Sequence, residues 1–201
     1  MSLNFEEYSN EFEQALKRKI PRRFRDAKIS NDDIKSYMMG EYNNFSRGLY
    51  IYGDCGTGKT YNLYGIYKLL LANEILTKNH EEGRITTYFP PSKVINITEF
   101  FSELKQTFDD NDSEQKIVDL ISTWEVLLID DFGTEKLSDW TIEACYRLIN
   151  HRYAEMKPTF FSSNLSLEEI AKRMGDRFAS RIAEMCKVIK IDGEDRRLKT
   201  G

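Results

Sequence analysis

The sequence predicts an α/β domain built around a phosphate-binding loop, on three observations. The β-forming run Gly48-Leu49-Tyr50-Ile51-Tyr52 leads into Gly53-Asp54-Cys55-Gly56-Thr57-Gly58-Lys59-Thr60 and then into a long helical pattern, the strand, loop, helix context that this glycine spacing requires. A second apolar run, Val126-Leu127-Leu128-Ile129, ends in Asp130-Asp131, as does a strand that is buried on both faces and presents carboxylates at the C-terminal edge of an open sheet. The chain has 201 residues, 40% hydrophobic and 31% charged, which is enough for one such domain with a substantial core.

In chain order, Phe5, Tyr8, Phe12, Ala15, Leu16 and Ile20 recur at helical intervals over residues 4–19, and Pro21 ends that helix. Lys17, Arg18, Lys19, Arg22, Arg23, Arg25 and Lys28 cluster at its end with the single acid Asp26. Such a cluster either grips nucleic-acid phosphates or is a solvated helix end whose cations complement the helix dipole. A short helix is expected from Asp32 to Met39, stopped by Gly40. Beyond the loop, Leu63, Ile66, Tyr67, Leu70 and Leu71 keep helical spacing to about Glu74. Residues 84–89 read as the second strand, ended by Pro90-Pro91.

Ile97, Phe100, Phe101, Leu104 and Phe108 then mark a helix, and Ile117, Leu120, Ile121 and Trp124 mark another beyond the acidic loop 109–113. A further helix is expected from Thr141 to Glu155, followed by a strand from Pro158 to Asn164. Ser166-Leu167-Glu168-Glu169 is a capping box for the next helix. Arg177 and Arg181 share a helix face, and Val188 to Ile191 reads as the last strand.

The chemistry follows from residue types at these places. Glycines let backbone N–H groups turn around a phosphate chain, and the helix behind adds its N-terminal partial charge. Lys59 would reach the β- and γ-phosphates of ATP, and the Thr60 hydroxyl would hold Mg²⁺. Asp130 would accept the ion's hydration shell and Asp131 would orient or deprotonate water; the alternative is an Asp-Phe-Gly turn with no further role. Asn164 either holds the γ-phosphate or lytic water or simply starts a turn. Arg177 and Arg181 are either surface arginines or sources of positive charge for a neighbouring site. The nucleotide set is therefore Gly53, Asp54, Cys55, Gly56, Thr57, Gly58, Lys59, Thr60 and Tyr61 with Asp130, and the metal pair is Thr60 and Asp130.

Other classes are excluded or left local. A net charge of −4 argues against a wholesale nucleic-acid coat. Cys55, Cys145 and Cys186 show no zinc or disulfide spacing, and His80 and His151 lack ligand-spaced companions. With no membrane-length apolar run and no signal peptide, a soluble cytoplasmic protein is expected.

The order of these pieces resembles AAA+ ATPases, and within them the DnaC-type helicase loaders and IstB-type transposition helper ATPases, over residues 19–200. Ile20 to Ala27 is similar to the family's lead-in near the adenine, which implicates Phe24. Gly53 to Thr60 and Leu127 to Gly133 match Walker A and Walker B, with Asp131 where many members carry glutamate. Pro158 to Leu165 resembles the sensor 1 segment, which implies Asn164. Arg181 falls at the arginine-finger position, and Gly193-Glu194-Asp195-Arg196-Arg197 is similar to the sensor 2 segment, which implies Arg197.

The resemblance implies an AAA+ (ASCE P-loop) three-layer α/β/α fold around a mainly parallel five-stranded sheet. The expected division is an N-terminal helix and basic lead-in over residues 1–30 and an ATPase domain over 31–201 without a large separate lid. It further implies slow, assembly-dependent ATP hydrolysis, self-association through the ATP interface, single-stranded DNA binding and a replicative DNA helicase as partner. The alternatives are a transposition helper acting on duplex DNA and a P-loop small-molecule kinase.

Overall fold

A computed structural model describes residues 5–40, 47–78, 91–106, 123–133 and 138–195. In chain order these form α1 (Phe5–Lys19), a short 3-10 turn (Arg22–Phe24), α2 (Asp32–Gly40), β1 (Gly48–Tyr52), α3 (Lys59–Lys78), β2 (Ser92–Asn96) and α4 (Ile97–Gln106). There follow β3 (Val126–Phe132), α5 (Asp139–Ala154), β4 (Thr159–Ser163), α6 (Leu167–Met174), α7 (Asp176–Met185) and β5 (Cys186–Lys190). The five strands make one sheet in the order β2-β3-β4-β1-β5, and every neighbouring pair is parallel.

Strand alternation sorts the core into two halves. Leu49, Ile51, Val126, Leu128 and Phe160 face a cluster filled by α1, α2 and α3, including Ala15, Leu16, Ile20, Ile34, Leu63, Ile66 and Leu70. Tyr50, Leu127, Ile129 and Phe161 face the other cluster, filled by α4, α5, α6 and α7 through Phe101, Leu148, Ile149, Ile170, Phe178 and Ile182. The result is the three-layer α/β/α arrangement, with helices on both faces of a parallel sheet. Order β2-β3-β4-β1-β5 places the C-terminal ends of β3, β4 and β1 side by side, where open parallel sheets carry their sites.

The second strand differs from its expectation. The run 84–89 lies outside the described residues, and the strand that pairs with β3 follows the two prolines, with Asn96 opposite Asp130. The mixed segment Ser92-Lys93-Val94-Ile95-Asn96, with only Val94 and Ile95 apolar, hides an edge strand, because one face and one edge need not be apolar. The expected helix around Ile117 to Ile121, together with Phe108 and His80, also lies outside the described residues.

Arg152, on α5, is fully buried. Its guanidinium donates from Nε to Thr159 Oγ1 at 2.8 Å, from Nη1 to Trp124 O at 2.6 Å, and from Nη2 to Pro158 O at 2.8 Å and Glu125 O at 3.1 Å. It thus ties α5 to the starts of β3 and β4. Burial pulls its pKa down to about 10, so it stays cationic at neutral pH.

Candidate functional site

The loop between β1 and α3 has the backbone its glycines permit. Gly56 and Gly58 have φ of +80° and +96°, a region that other L-residues rarely enter. Thr57 Oγ1 and Lys59 Nζ both donate to Asp54 O, at 2.9 and 2.6 Å, so the lysine is folded back along the loop. Lys59 and Thr57 are buried, whereas Asp54 and Cys55 are exposed. A Cβ at Gly56 would lie 1.9 Å from Asp195 Oδ1, which places the segment after β5 against the loop.

Thr60, in the first turn of α3, donates from Oγ1 to Asp130 Oδ1 at 2.9 Å. Ser162 on β4 donates to the same oxygen. Burial raises the Asp130 pKa most; the Asp131 charge adds to the rise, and the Ser162 and Thr60 hydroxyls oppose it. Two hard oxygen atoms facing each other beside a glycine-turned loop at a helix start fit a Mg²⁺-nucleotide.

Strand alternation alone would send Asp130 and Asp131 to opposite faces. A register shift between Ile129 and Phe132 in the pairing of β3 with β4, with Asp131 at φ +58°, breaks that alternation. Asp131 N donates to Ser162 Oγ at 3.1 Å, and Asp131 Oδ2 accepts from Asn96 Nδ2 at 3.3 Å. Asn96 also caps α4, its Oδ1 accepting Thr98 N at 3.0 Å and Glu99 N at 3.2 Å.

Asn164 is exposed immediately after β4, the strand between the phosphate-loop strand and the aspartate strand. Arg181 is packed on its own chain. Its Cζ lies 4.7 Å from the Tyr146 ring centroid and 5.8 Å from that of Tyr153, and Nη1 is buried without a hydrogen-bond partner. Arg177, one turn earlier, is the exposed member of the pair. Arg197 lies outside the described residues.

Phe24 stacks on Tyr64 of α3, with centroids 4.5 Å apart and planes 5° from parallel. Tyr61 donates its hydroxyl to Asp26 O at 2.7 Å. The lead-in therefore lies along the first turns of the phosphate-loop helix.

Sequence reasoning missed Ser162, Asn96 and Asn62. The signal for Ser162 was a polar pair inside the apolar strand Thr159-Phe160-Phe161-Ser162-Ser163, since a fully buried hydroxyl needs partners. For Asn96 it was an N-cap residue ahead of Ile97-Thr98-Glu99, obscured once the strand was placed before the prolines. For Asn62 it was an amide within the helical pattern that follows the loop.

Among described residues no helix is long and apolar enough to cross a membrane. The replicative helicase loader DnaI of Bacillus subtilis (strain 168) is 32% identical over 179 residues, covering 83% of this chain and 51% of that protein. The crystal structure of DnaI matches with a TM-score of 0.63 at 26% identity, covering 89% of this chain and 94% of that one. The crystal structure of the DnaC helicase loader matches in fold with a TM-score of 0.63 at 22% identity, covering 86% and 100%. The chain spans about half the length of the curated relatives it matches first. The model of the IstB-like ATP binding protein family matches residues 24–201. With an AAA+ sheet order and that match over most of its length, the chain belongs to the IstB-like ATP binding protein family.

Proposed function

We propose that this chain is a Mg²⁺-dependent ATPase that acts in DNA replication as a loader of a replicative helicase. The observation that carries the ATPase part is the Thr60–Asp130 oxygen pair at 2.9 Å, with Asp131 on the next residue and Asn164 at the end of the intervening strand. Amides of residues 53–60 cradle the phosphates, and Lys59 leaves Asp54 O to pair with their terminal oxygens. Thr60 and Asp130 hold Mg²⁺, whose charge offsets that of the phosphate oxygens. Asp131 takes a proton from the attacking water and Asn164 orients that water. Arg181 meets the site of an adjacent subunit, and Arg197 serves the sensor 2 role.

The helicase-loader part is supported by the likeness to DnaI. For single-stranded DNA the supporting feature is the end of α1. Arg25 turns inward to donate to Lys17 O at 2.9 Å and Ile20 O at 3.3 Å, and Lys19 pairs with Glu74 at 3.7 Å. Lys17, Arg18, Arg22, Arg23 and Lys28 remain exposed as a phosphate-binding corner. A second reading, a transposition helper acting on duplex DNA, is equally compatible with the match to the IstB-like ATP binding protein family.

The test is steady-state ATP hydrolysis across protein concentration, alone and with single-stranded or duplex DNA, for the parent and Arg181→Ala. A specific rate that rises with concentration and single-stranded DNA, and collapses in the variant, supports the loader; duplex stimulation supports the transposition helper. A rate indifferent to concentration, DNA and Arg181 contradicts both.

A further inference from the structure

Asn62 is fully buried on α3, yet both ends of its amide are engaged. Nδ2 donates to Gly58 O at 2.9 Å and to Ser30 Oγ at 3.2 Å. Oδ1 accepts Ser30 N at 2.7 Å and Asn31 N at 3.2 Å. One side chain thus joins the last peptide of the phosphate loop to the lead-in.

The Gly58 end has a geometric consequence. Gly58 O already accepts Asn62 N at 3.0 Å, so the side-chain bond is additional to the helix's own. Gly58 C=O and Lys59 N–H belong to one planar trans peptide and point in opposite directions. Holding the carbonyl from inside the domain therefore aims the Lys59 N–H away from it, toward the loop side at the start of α3.

The lead-in end is reinforced along the same helix. Tyr61 donates to Asp26 O at 2.7 Å, and Lys68 Nζ donates to Arg25 O. Gly65 admits the lead-in backbone, since a Cβ there would lie 2.6 Å from Ile29 N. Asn31 passes the constraint on to α2, its Oδ1 accepting Ile34 N at 3.0 Å. A leucine at position 62 would pack as well, but would leave the Ser30 and Asn31 amides without this acceptor.

We propose that Asn62 is a positioning residue that clamps the phosphate loop to the lead-in, so that anion binding at the loop and ordering of residues 24–31 are one coupled equilibrium. This rests on the ATP-binding reading of the loop. By linkage, whatever displaces the lead-in weakens nucleotide binding, and nucleotide tightens the lead-in by the same factor.

Two substitutions separate the ends of the amide. In Asn62→Ser the hydroxyl can still donate to the carbonyl four residues back, Gly58 O, but no longer reaches the lead-in. In Asn62→Asp the acceptor for Ser30 and Asn31 is kept, while a carboxylate oxygen replaces the donor facing Gly58 O. The experiment combines titration with a non-hydrolysable ATP analogue, and with inorganic tripolyphosphate, and amide hydrogen exchange at Ser30 and Asn31 with and without the analogue.

In the parent, the analogue is expected to slow exchange at both amides. Asn62→Ser is expected to lose that slowing. Asn62→Asp is expected to bind the analogue and tripolyphosphate about tenfold more weakly, a larger loss than the serine variant shows. Exchange in the parent that ignores saturating analogue overturns the proposal without needing a variant. Parent-like affinity in a folded Asn62→Asp overturns it too. A parent that fails to bind the analogue at all overturns the underlying ATP-binding reading, a result the titration shows before any exchange is measured.

Discussion

Ser162 donates its hydroxyl to Asp130 Oδ1, the oxygen that also accepts Thr60 Oγ1 at 2.9 Å. The same Ser162 oxygen accepts the Asp131 amide at 3.1 Å, so one hydroxyl of β4 serves both aspartates of β3. Because its bond to Asp130 favours the charged carboxylate, Ser162→Ala should raise the pKa of Asp130 further. The proposed Mg²⁺-dependent ATP binding needs that carboxylate ionised, so its rise with pH should move to higher pH. Affinity measured against pH for parent and variant checks this, and coincident profiles would refute it.

Asp130 itself should destabilise the nucleotide-free protein. Burial holds its carboxyl above the unfolded value, so between those two values the native state keeps a proton that the unfolded chain has released. Stability contributed in this way is present at low pH and lost as pH rises through the folded pKa. Asp130→Asn removes the charge, and should melt higher than the parent at neutral pH without nucleotide. The difference should close as pH falls below the unfolded carboxylate value of about 3.9. Thermal unfolding across pH measures this; a variant less stable at neutral pH would count against it.

Arg152 is a structural residue with four acceptors and no exposure. Arg152→Met fills much of the volume but takes the donor from the Trp124 and Glu125 carbonyls and from Thr159 Oγ1, while Pro158 O keeps only Leu127 N at 3.2 Å. Urea unfolding should show a loss of about 3–5 kcal/mol. A loss below about 1 kcal/mol would mean that water replaces the guanidinium.

Asn96→Asp separates the cap from the carboxylate contact. Aspartate caps a helix as well as asparagine does, so stability should change little. It also sets a carboxylate against Asp131 in place of the amide donor, now 3.3 Å away. The turnover number should fall by more than the MgATP affinity. Equal losses would show that Asn96 acts only through the fold.

Much of this architecture is legible in the sequence because local signals and tertiary fate agree. The loop glycines, the buried run Val126 to Ile129 and the Ser166–Glu169 capping box all appear in place. The strand Ser92–Asn96 was hidden because an edge strand need not be apolar, and Pro90-Pro91 reads as an end rather than a lead-in. The site's supporting polar residues were hidden for a different reason. Ser162, Asn96 and Asn62 act through partners that are distant in sequence, and only the sheet order and the packing of the lead-in on α3 bring those partners together. The turn at Asp131 likewise depends on the register between β3 and β4. Arg181 was readable as a helix-face residue, but its place over Tyr146 and Tyr153 depends on how α7 packs on α5.

The central claim is that the loop from Gly53 to Thr60 holds MgATP. Calorimetric titration of ATP into the parent and into Lys59→Ala, each with and without Mg²⁺, tests it most directly. Saturable, Mg²⁺-dependent binding by the parent, weakened about tenfold or more in the variant, is the predicted result. No saturable binding by the parent, or equal affinity in the two proteins, would contradict it.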